Sequence, residues 1–228
     1  MWIINGEVDF QARHVKIGNY TLFKENEAKG DYQVFLGTSA SHVAVQPNHT
    51  CKDPRIREFA QDRLVRIALS LAVNRDELNE LIYDGLLTPR QYSPLESSPN
   101  FYPKQAFAYI DYDPDKANEL LDEAGYKERD SEGFRLWKDG SGETLSFVIE
   151  GTSQPGDVGA DAIQLIVKYY QDVGVKATYQ YVERSLYTEH FRANEIEFAF
   201  WGGDRTVLPL APGAPIFRGT MVDRPWCP

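Results

Sequence analysis

Apolar positions along the chain follow two periods, one near 3.6 residues and one of two, and together they predict alternating helices and strands. Leu64, Ile67, Ala68 and Leu71 recur at i, i+3, i+4 and i+7, the stripe of an amphipathic helix. Asp53 stands where an N-cap belongs and Pro54 at the first helical position, so this helix is expected to start there. Asn74, with Glu77 three residues on, approximates a capping box and opens a second helix. Leu78, Leu81 and Ile82 form its apolar face, and Asp84-Gly85 closes it. Asp113-Pro114 opens a third, striped by Ala117, Leu120, Leu121 and Ala124 and stopped at Gly125. Residues 157–172 place Ile163, Ile166, Val167 and Tyr170 on one face, and a shorter helix is expected over 183–194.

The period of two predicts the strands. Trp2-Ile3-Ile4 and Glu7-Val8-Asp9-Phe10 read as short strands at the start, and 31–37 and 42–47 as two more around a turn-like Gly37-Thr38-Ser39-Ala40-Ser41. Phe134 to Trp137 and Leu145 to Ile149 flank the polar stretch 138–142 and read as a β-hairpin. Val175, Ala177, Tyr179 and Tyr181 alternate through the next strand. The second half thus runs strand, helix, strand, helix, strand, an order that implies α/β layering with crossover connections. Between the halves, 86–107 is a long connection with four prolines, Tyr92, Phe101 and Tyr102. These aromatics either line a cleft or pin the loop to the body of the domain.

The last alternating run carries the most chemistry. Ile196, Phe198 and Phe200 are expected on one face, and Glu197, Ala199 and Trp201 on the other. Gly202-Gly203 then breaks the strand, and Asp204 follows at once. A strand end in an open α/β sheet is where ligands bind. Glycine lets a ligand approach the backbone, tryptophan offers a flat apolar wall, and aspartate offers a fixed negative charge. The plainer reading is a strand and a turn, with Trp201 in the core and Asp204 on the surface.

Composition narrows the function classes. The chain has 228 residues, 42% hydrophobic and 13% aromatic, enough for a real core. A net charge of −10 argues against nucleic acid and anionic membrane surfaces as partners. No apolar run has the length of a membrane helix, and residues 1–7 do not look like a secretory signal. Cys51 and Cys227 are far apart and show no metal-type spacing; one disulfide or two thiols are equally consistent. His14, His42, His49 and His190 are scattered, so no metal ligand set is expected. Arg55, Arg57, Arg63 and Arg66, interleaved with Glu58 and Asp62, read as a solvated helix face. Asn48-His49-Thr50 fits the glycosylation pattern. No nucleophile elbow, phosphate loop or dinucleotide fingerprint is present, and nothing points to catalysis or to a cofactor.

The order of segments resembles the family 5 extracellular solute-binding proteins, the peptide- and nickel-type receptors of ABC importers. Arg63 to Leu78, then Ile82-Tyr-Asp-Gly and the Pro-rich loop to Pro103, carry part of the likeness. Tyr112 to Tyr126 and the 133–149 strand pair carry more, and Gly6-Glu-Val-Asp9 is similar to the segment where such proteins pass through their hinge. The resemblance implies a periplasmic-binding-protein type II-like lobe, a mixed sheet flanked by helices, with 1–228 forming one ligand-binding lobe of a two-lobed protein whose first lobe is absent. It implies a periplasmic or cell-surface protein that encloses a small-molecule or peptide ligand, hands it to ABC transporter permease subunits, inserts in no membrane and catalyses nothing.

In peptide-binding members the matching strand end presents a Trp and, three residues later, an Asp that pairs with the ligand's α-ammonium group. Carried over, these are Trp201 and Asp204, with the backbone of Gly202 and Gly203 between them. Arg205 departs from the aromatic or small residue of many members; a cation there would weaken the ammonium reading and favour a sugar or an anion. Sugar-binding members use stacked indoles, a role open to Trp137 or Trp201. Two other classes stand beside this one: an α/β hydrolytic enzyme, which would need a nucleophile–base pair, and a standalone interaction domain.

Overall fold

The computed structural model describes residues 2–11, 15–37, 43–91, 93–99 and 101–202. In chain order these form α1 (Tyr20–Glu25), α2 (Glu27–Gly30), β1 (Val43–Pro47), α3 (Pro54–Gln61), α4 (Arg63–Leu71) and α5 (Arg75–Tyr83). Then come α6 (Pro103–Ala106), α7 (Pro114–Glu123), β2 (Ser146–Gly151), α8 (Val158–Asp172), β3 (Lys176–Tyr181), α9 (Arg184–Ala193) and β4 (Phe198–Gly202). The four strands make one mixed sheet in the order β1-β4-β2-β3. β2 is parallel to β3 and to β4, while β1 pairs antiparallel with β4 at the edge. The α/β layering is what the alternation of elements predicts, and the mixed sheet with flanking helices is what the resemblance implies.

Local chemistry sets the helix ends. Asp53, Asn74 and Asp113 each accept a backbone N–H of the first turn, from Arg55, Glu77 and Lys116 respectively. The stretch expected as one helix from Asp53 is two. Asp62 sits in an extended conformation between α3 and α4 and caps the second through Leu64 N. Arg66 donates back to the carbonyls of Ala60 and Gln61, so the orphan acceptors at the end of α3 are satisfied. The buried stripe of α4 is accordingly Val65, Ala68, Leu69 and Leu71, with Leu64 and Ile67 only partly covered. Glu77 leaves the capping box half made, because its carboxylate takes the Tyr169 hydroxyl at 2.9 Å.

Five strand expectations are corrected. Ile3–Asn5 is a 3-10 turn closed by Gly6 in the left-handed region, and no strand forms at 7–10 or 32–37. The expected hairpin reduces to a bridge between Leu136 and Thr144, because Ser146–Gly151 leaves to become the central parallel strand. Ile196 lies before β4 and packs with Val182, Tyr187 and Ala199, the face opposite to Phe198 and Phe200.

The main core lies between the sheet and α3, α4, α7 and α8. Phe59 is its centre, within 5.2–6.3 Å of the rings of Tyr126, Trp137, Phe147 and Phe198. Phe147 and Phe198 stack at 4.0 Å. Arg135 is wholly buried at the rim of this core. Its guanidinium donates to the carbonyls of Val173, Tyr126 and Asn118 and to Asp122 Oδ1 at 2.5 Å, so the buried cation is fully hydrogen-bonded.

Candidate functional site

The sheet order creates a switch point. From β2 the chain crosses through α8 to β3 on one side, and β4 lies on the other. The carboxyl ends of β2 and β4 therefore open side by side, the place where open α/β sheets receive ligands. Gly151 and Gly202 end these strands. Gly151 is glycine for packing: a Cβ there would meet Phe200 Cβ, Phe200 O and Tyr179 Cε2 at 3.0 Å each. The Tyr179 hydroxyl donates to Ser153 O at 2.8 Å and accepts from Ser153 N at 3.1 Å, which fixes the loop leaving β2.

Trp201 stands at this end, one residue before Gly202, opposite Ala44 of β1. It points to the α9 side of the sheet and is partly buried. Its indole stacks on Tyr187 at 5.2 Å with an interplanar angle of 16°, and the Arg184 guanidinium carbon lies 5.0 Å from the ring centroid. Burial, with Glu150 and Tyr179 adding, pushes the Tyr187 phenol well above its usual range, so it stays neutral. His190 Nδ1 and Glu150 Oε2, 2.9 Å apart, tie the same helix to β2. Trp201 is thus neither in the main core nor a bare wall. It is a ring already backed by an aromatic and attended by a cation. Gly203, Asp204 and Arg205 lie outside the described residues.

Other expected candidates resolve differently. Trp137 is buried, edge-on to Phe59 and Tyr126, with Arg55 over it; its indole is spent on the core. The loop aromatics Phe101 and Phe107 hold Arg90 at 5.9 and 5.8 Å and pin the loop, whereas Tyr92 lies outside the described residues. The loop does border a cavity of about 720 Å³ through Leu86, Arg90 and Leu95, shared with β1, α4 and α5; Trp201 does not line it. The helix arginines are not simply solvated: Arg55 pairs with Glu143, Arg57 donates to Cys51 O and Arg63 to the Tyr109 hydroxyl. Asn48 is completely buried and its amide donates to Asn194 Oδ1 and Ile196 O, so its glycosylation pattern is a chance match. Cys51 is buried, which pushes its thiol pKa up, and Cys227 lies outside the described residues. Among the described residues no group of His, Cys, Asp and Glu is placed to hold a metal, and no helix is long and apolar enough to cross a membrane. Sequence reasoning missed Arg184 and Tyr187. Their i, i+3 spacing puts them on one side of α9, but only the sheet shows that this side meets Trp201.

The opening between the carboxyl ends of β2 and β4 is the candidate ligand site of this fold. Residues 2–216 match the bacterial extracellular solute-binding proteins, family 5 middle region, and the chain belongs to that family of substrate-binding proteins. Among its relatives, the oligopeptide-binding protein OppA of Lactococcus lactis subsp. lactis is 30% identical over 92% of this chain and 32% of its own length. AppA of Bacillus subtilis (strain 168), also an oligopeptide-binding protein, is 27% identical over 78% of this chain and 31% of its own length. A solved structure of an oligopeptide-binding protein OppA superposes with a TM-score of 0.81 at 37% identity, covering 96% of this chain and 35% of that one. The chain spans about a third of the length of these relatives.

Proposed function

We propose that this chain supplies one lobe of a two-lobed receptor that captures short peptides outside the cytoplasmic membrane and delivers them to the permease subunits of an ABC importer. The observation that carries this reading is the 37% identity and 0.81 TM-score with an oligopeptide-binding protein across nearly the whole chain. In it, the end of β4 is the ligand site. Trp201 borders the peptide, the Gly202 and Gly203 backbone approaches it, and Asp204 pairs with its α-ammonium group. A charge-assisted bond of this kind gains strength as closure excludes water. Closure is a hinge motion against a second lobe, and no bond is made or broken.

A second reading within the family is an oligosaccharide ligand. Two proteins of this fold, MelB of Agrobacterium fabrum C58 and an oligopeptide-binding protein of Thermotoga maritima, were solved with stachyose and mannohexaose, at 13% and 21% identity to this chain. The test is a thermal-shift and calorimetric screen of the full-length protein against di- to pentapeptides and against cello- and xylo-oligosaccharides. The expected result is stabilisation by peptides and a loss of about 10- to 100-fold in affinity in Asp204→Ala, the value of a hydrogen bond to a charged group. Binding of sugars alone, undisturbed by Asp204→Ala, would overturn the peptide reading in favour of the sugar one.

A further inference from the structure

The described arginines mostly have their donors engaged. Arg55 pairs with Glu143, and Arg90 with Glu96. Arg57, Arg66 and Arg75 donate to backbone carbonyls, Arg63 to a tyrosine hydroxyl, and Arg129 to Gly133 O and Asn118 Oδ1. Arg135 is satisfied at the core rim. The two remaining described arginines, Arg184 and Arg192, are exposed and take part in none of the ion pairs among the described residues. Of the two, it is Arg184 that lies over Trp201. The carboxylate next to it in sequence, Glu183, is committed to capping α9: it accepts from Ser185 N at 2.7 Å and from the Ser185 hydroxyl. Its bonds to Ser185 hold its pKa below the usual carboxylate range.

Contact through an aromatic ring holds a guanidinium in place without using its N–H donors, which keep the planar fork that matches a carboxylate. The cation is also placed by packing rather than by chance. Arg184 and Tyr187 are three apart on α9, Tyr187 is buried against the indole, and Trp201 is fixed by its strand pairing. We propose that Arg184 is a specificity-determining residue that selects solutes carrying a carboxylate beside Trp201. Resting on the assignment of the β4 end as the ligand site, this adds the chemical class of one ligand group. The carboxylate belongs either to an acidic side chain or to the C-terminus of a short peptide.

The experiment is calorimetric titration of the full-length protein, wild type, Arg184→Gln and Arg184→Lys, with four peptides. These are Ala-Ala-Ala and Ala-Glu-Ala, each with a free and an amidated C-terminus. Arg184 is exposed, so Arg184→Gln should shift the melting temperature by no more than about 2 °C. Arg184→Gln is expected to weaken the peptides carrying the recognised carboxylate about tenfold and to leave the uncharged amide within about twofold, with Arg184→Lys between. Loss confined to the Glu-containing pair identifies the side chain as the source, and loss confined to the free acids identifies the C-terminus. Equal weakening of all four peptides, or no change in any, overturns the proposal while leaving peptide capture standing. Failure of the wild type to bind any of the four overturns both.

Discussion

The two faces of β4 are packed by different chemistry. On one, Phe198 and Phe200 join a continuous core in which Phe59, Phe147, Tyr126 and Trp137 lock ring against ring. On the other, Ala199 and Trp201 meet a small cluster of Val182, Tyr187 and Ile196 beneath a single helix, with Phe191 half-covered at its side. On the first face cations meet the rings farther from β4, Arg55 over Trp137 and Lys138 over Tyr126; on the second, Arg184 lies over the ring that β4 itself carries, with the His190–Glu150 pair beside it. Depth of burial separates them physically. A thick apolar layer repays conformational entropy, while a thin one leaves polar and charged groups within reach of a ligand. The same five-residue strand thus anchors the main core with one set of side chains and, in the function proposed above, offers a recognition surface with the alternate set.

Cutting the thick face should have the larger effect. Phe198→Ala removes a buried ring stacked on Phe147, and a loss of about 3–5 kcal/mol is expected in equilibrium urea unfolding. A loss below about 1 kcal/mol would mean that this face is not the anchor described. On the thin face, Tyr187→Ala is expected to cost about 2 kcal/mol and to shift tryptophan emission to the red as the Trp201 indole gains water, whereas Tyr187→Phe keeps the stack and stays within about 1 kcal/mol of wild type. Equal behaviour of the two variants would assign the effect to the hydroxyl instead of the ring.

The smallest effect sharpens the boundary between the faces. Glu197 enters β4 with its carboxylate accepting from Val148 N at 2.7 Å, yet burial, aided by Asp53 and Glu150, raises its pKa. A carboxyl whose folded pKa lies above its unfolded one stabilises fully below the unfolded value and loses that contribution as pH rises through the folded one. Glu197→Gln keeps an acceptor for Val148 and removes the charge. It should therefore be more stable than wild type at neutral pH, by less than about 1 kcal/mol, and lose that advantage on acidification below the carboxylate range. Denaturation midpoints of the two proteins across pH 3 to 8 would check the sign on the scale of ordinary carboxyl titration.

How far these features were legible depends on the distance over which they are decided. Asp53, Asn74 and Asp113 announce their helices because a cap acts within three residues. The helix 158–172 and the strand 176–181 are legible because each keeps one period throughout. The 134–149 hairpin misleads because both halves have strand composition, while the partner that claims Ser146–Gly151 is β3 on one side and β4 on the other. Asp62 is a cap of the same kind as Asp53, yet its break goes unread because the apolar spacing runs on across it from α3 to α4. At the candidate site, alternation and the Gly-Gly pair locate Trp201 at a strand end. That its ring is already occupied by Tyr187 and Arg184 is decided by α9, an element its own neighbours in sequence do not describe.

The position of β4 between β1 and β2 also governs the order in which the sheet can assemble. β2, α8 and β3 form a contiguous crossover unit whose partners are near in sequence. Among the described strands β1 is hydrogen-bonded to β4 alone, with Val43 facing Gly202, so most of the described chain lies in the loop between them. Closing so long a loop is slow and is repaid only when β4 arrives. A chain emerging from its N-terminus must therefore hold β1 unpaired until Phe198–Gly202 has been made. The strand that carries Trp201 is then the keystone of the described sheet, and the candidate site comes into being in the step that joins β1 to β2.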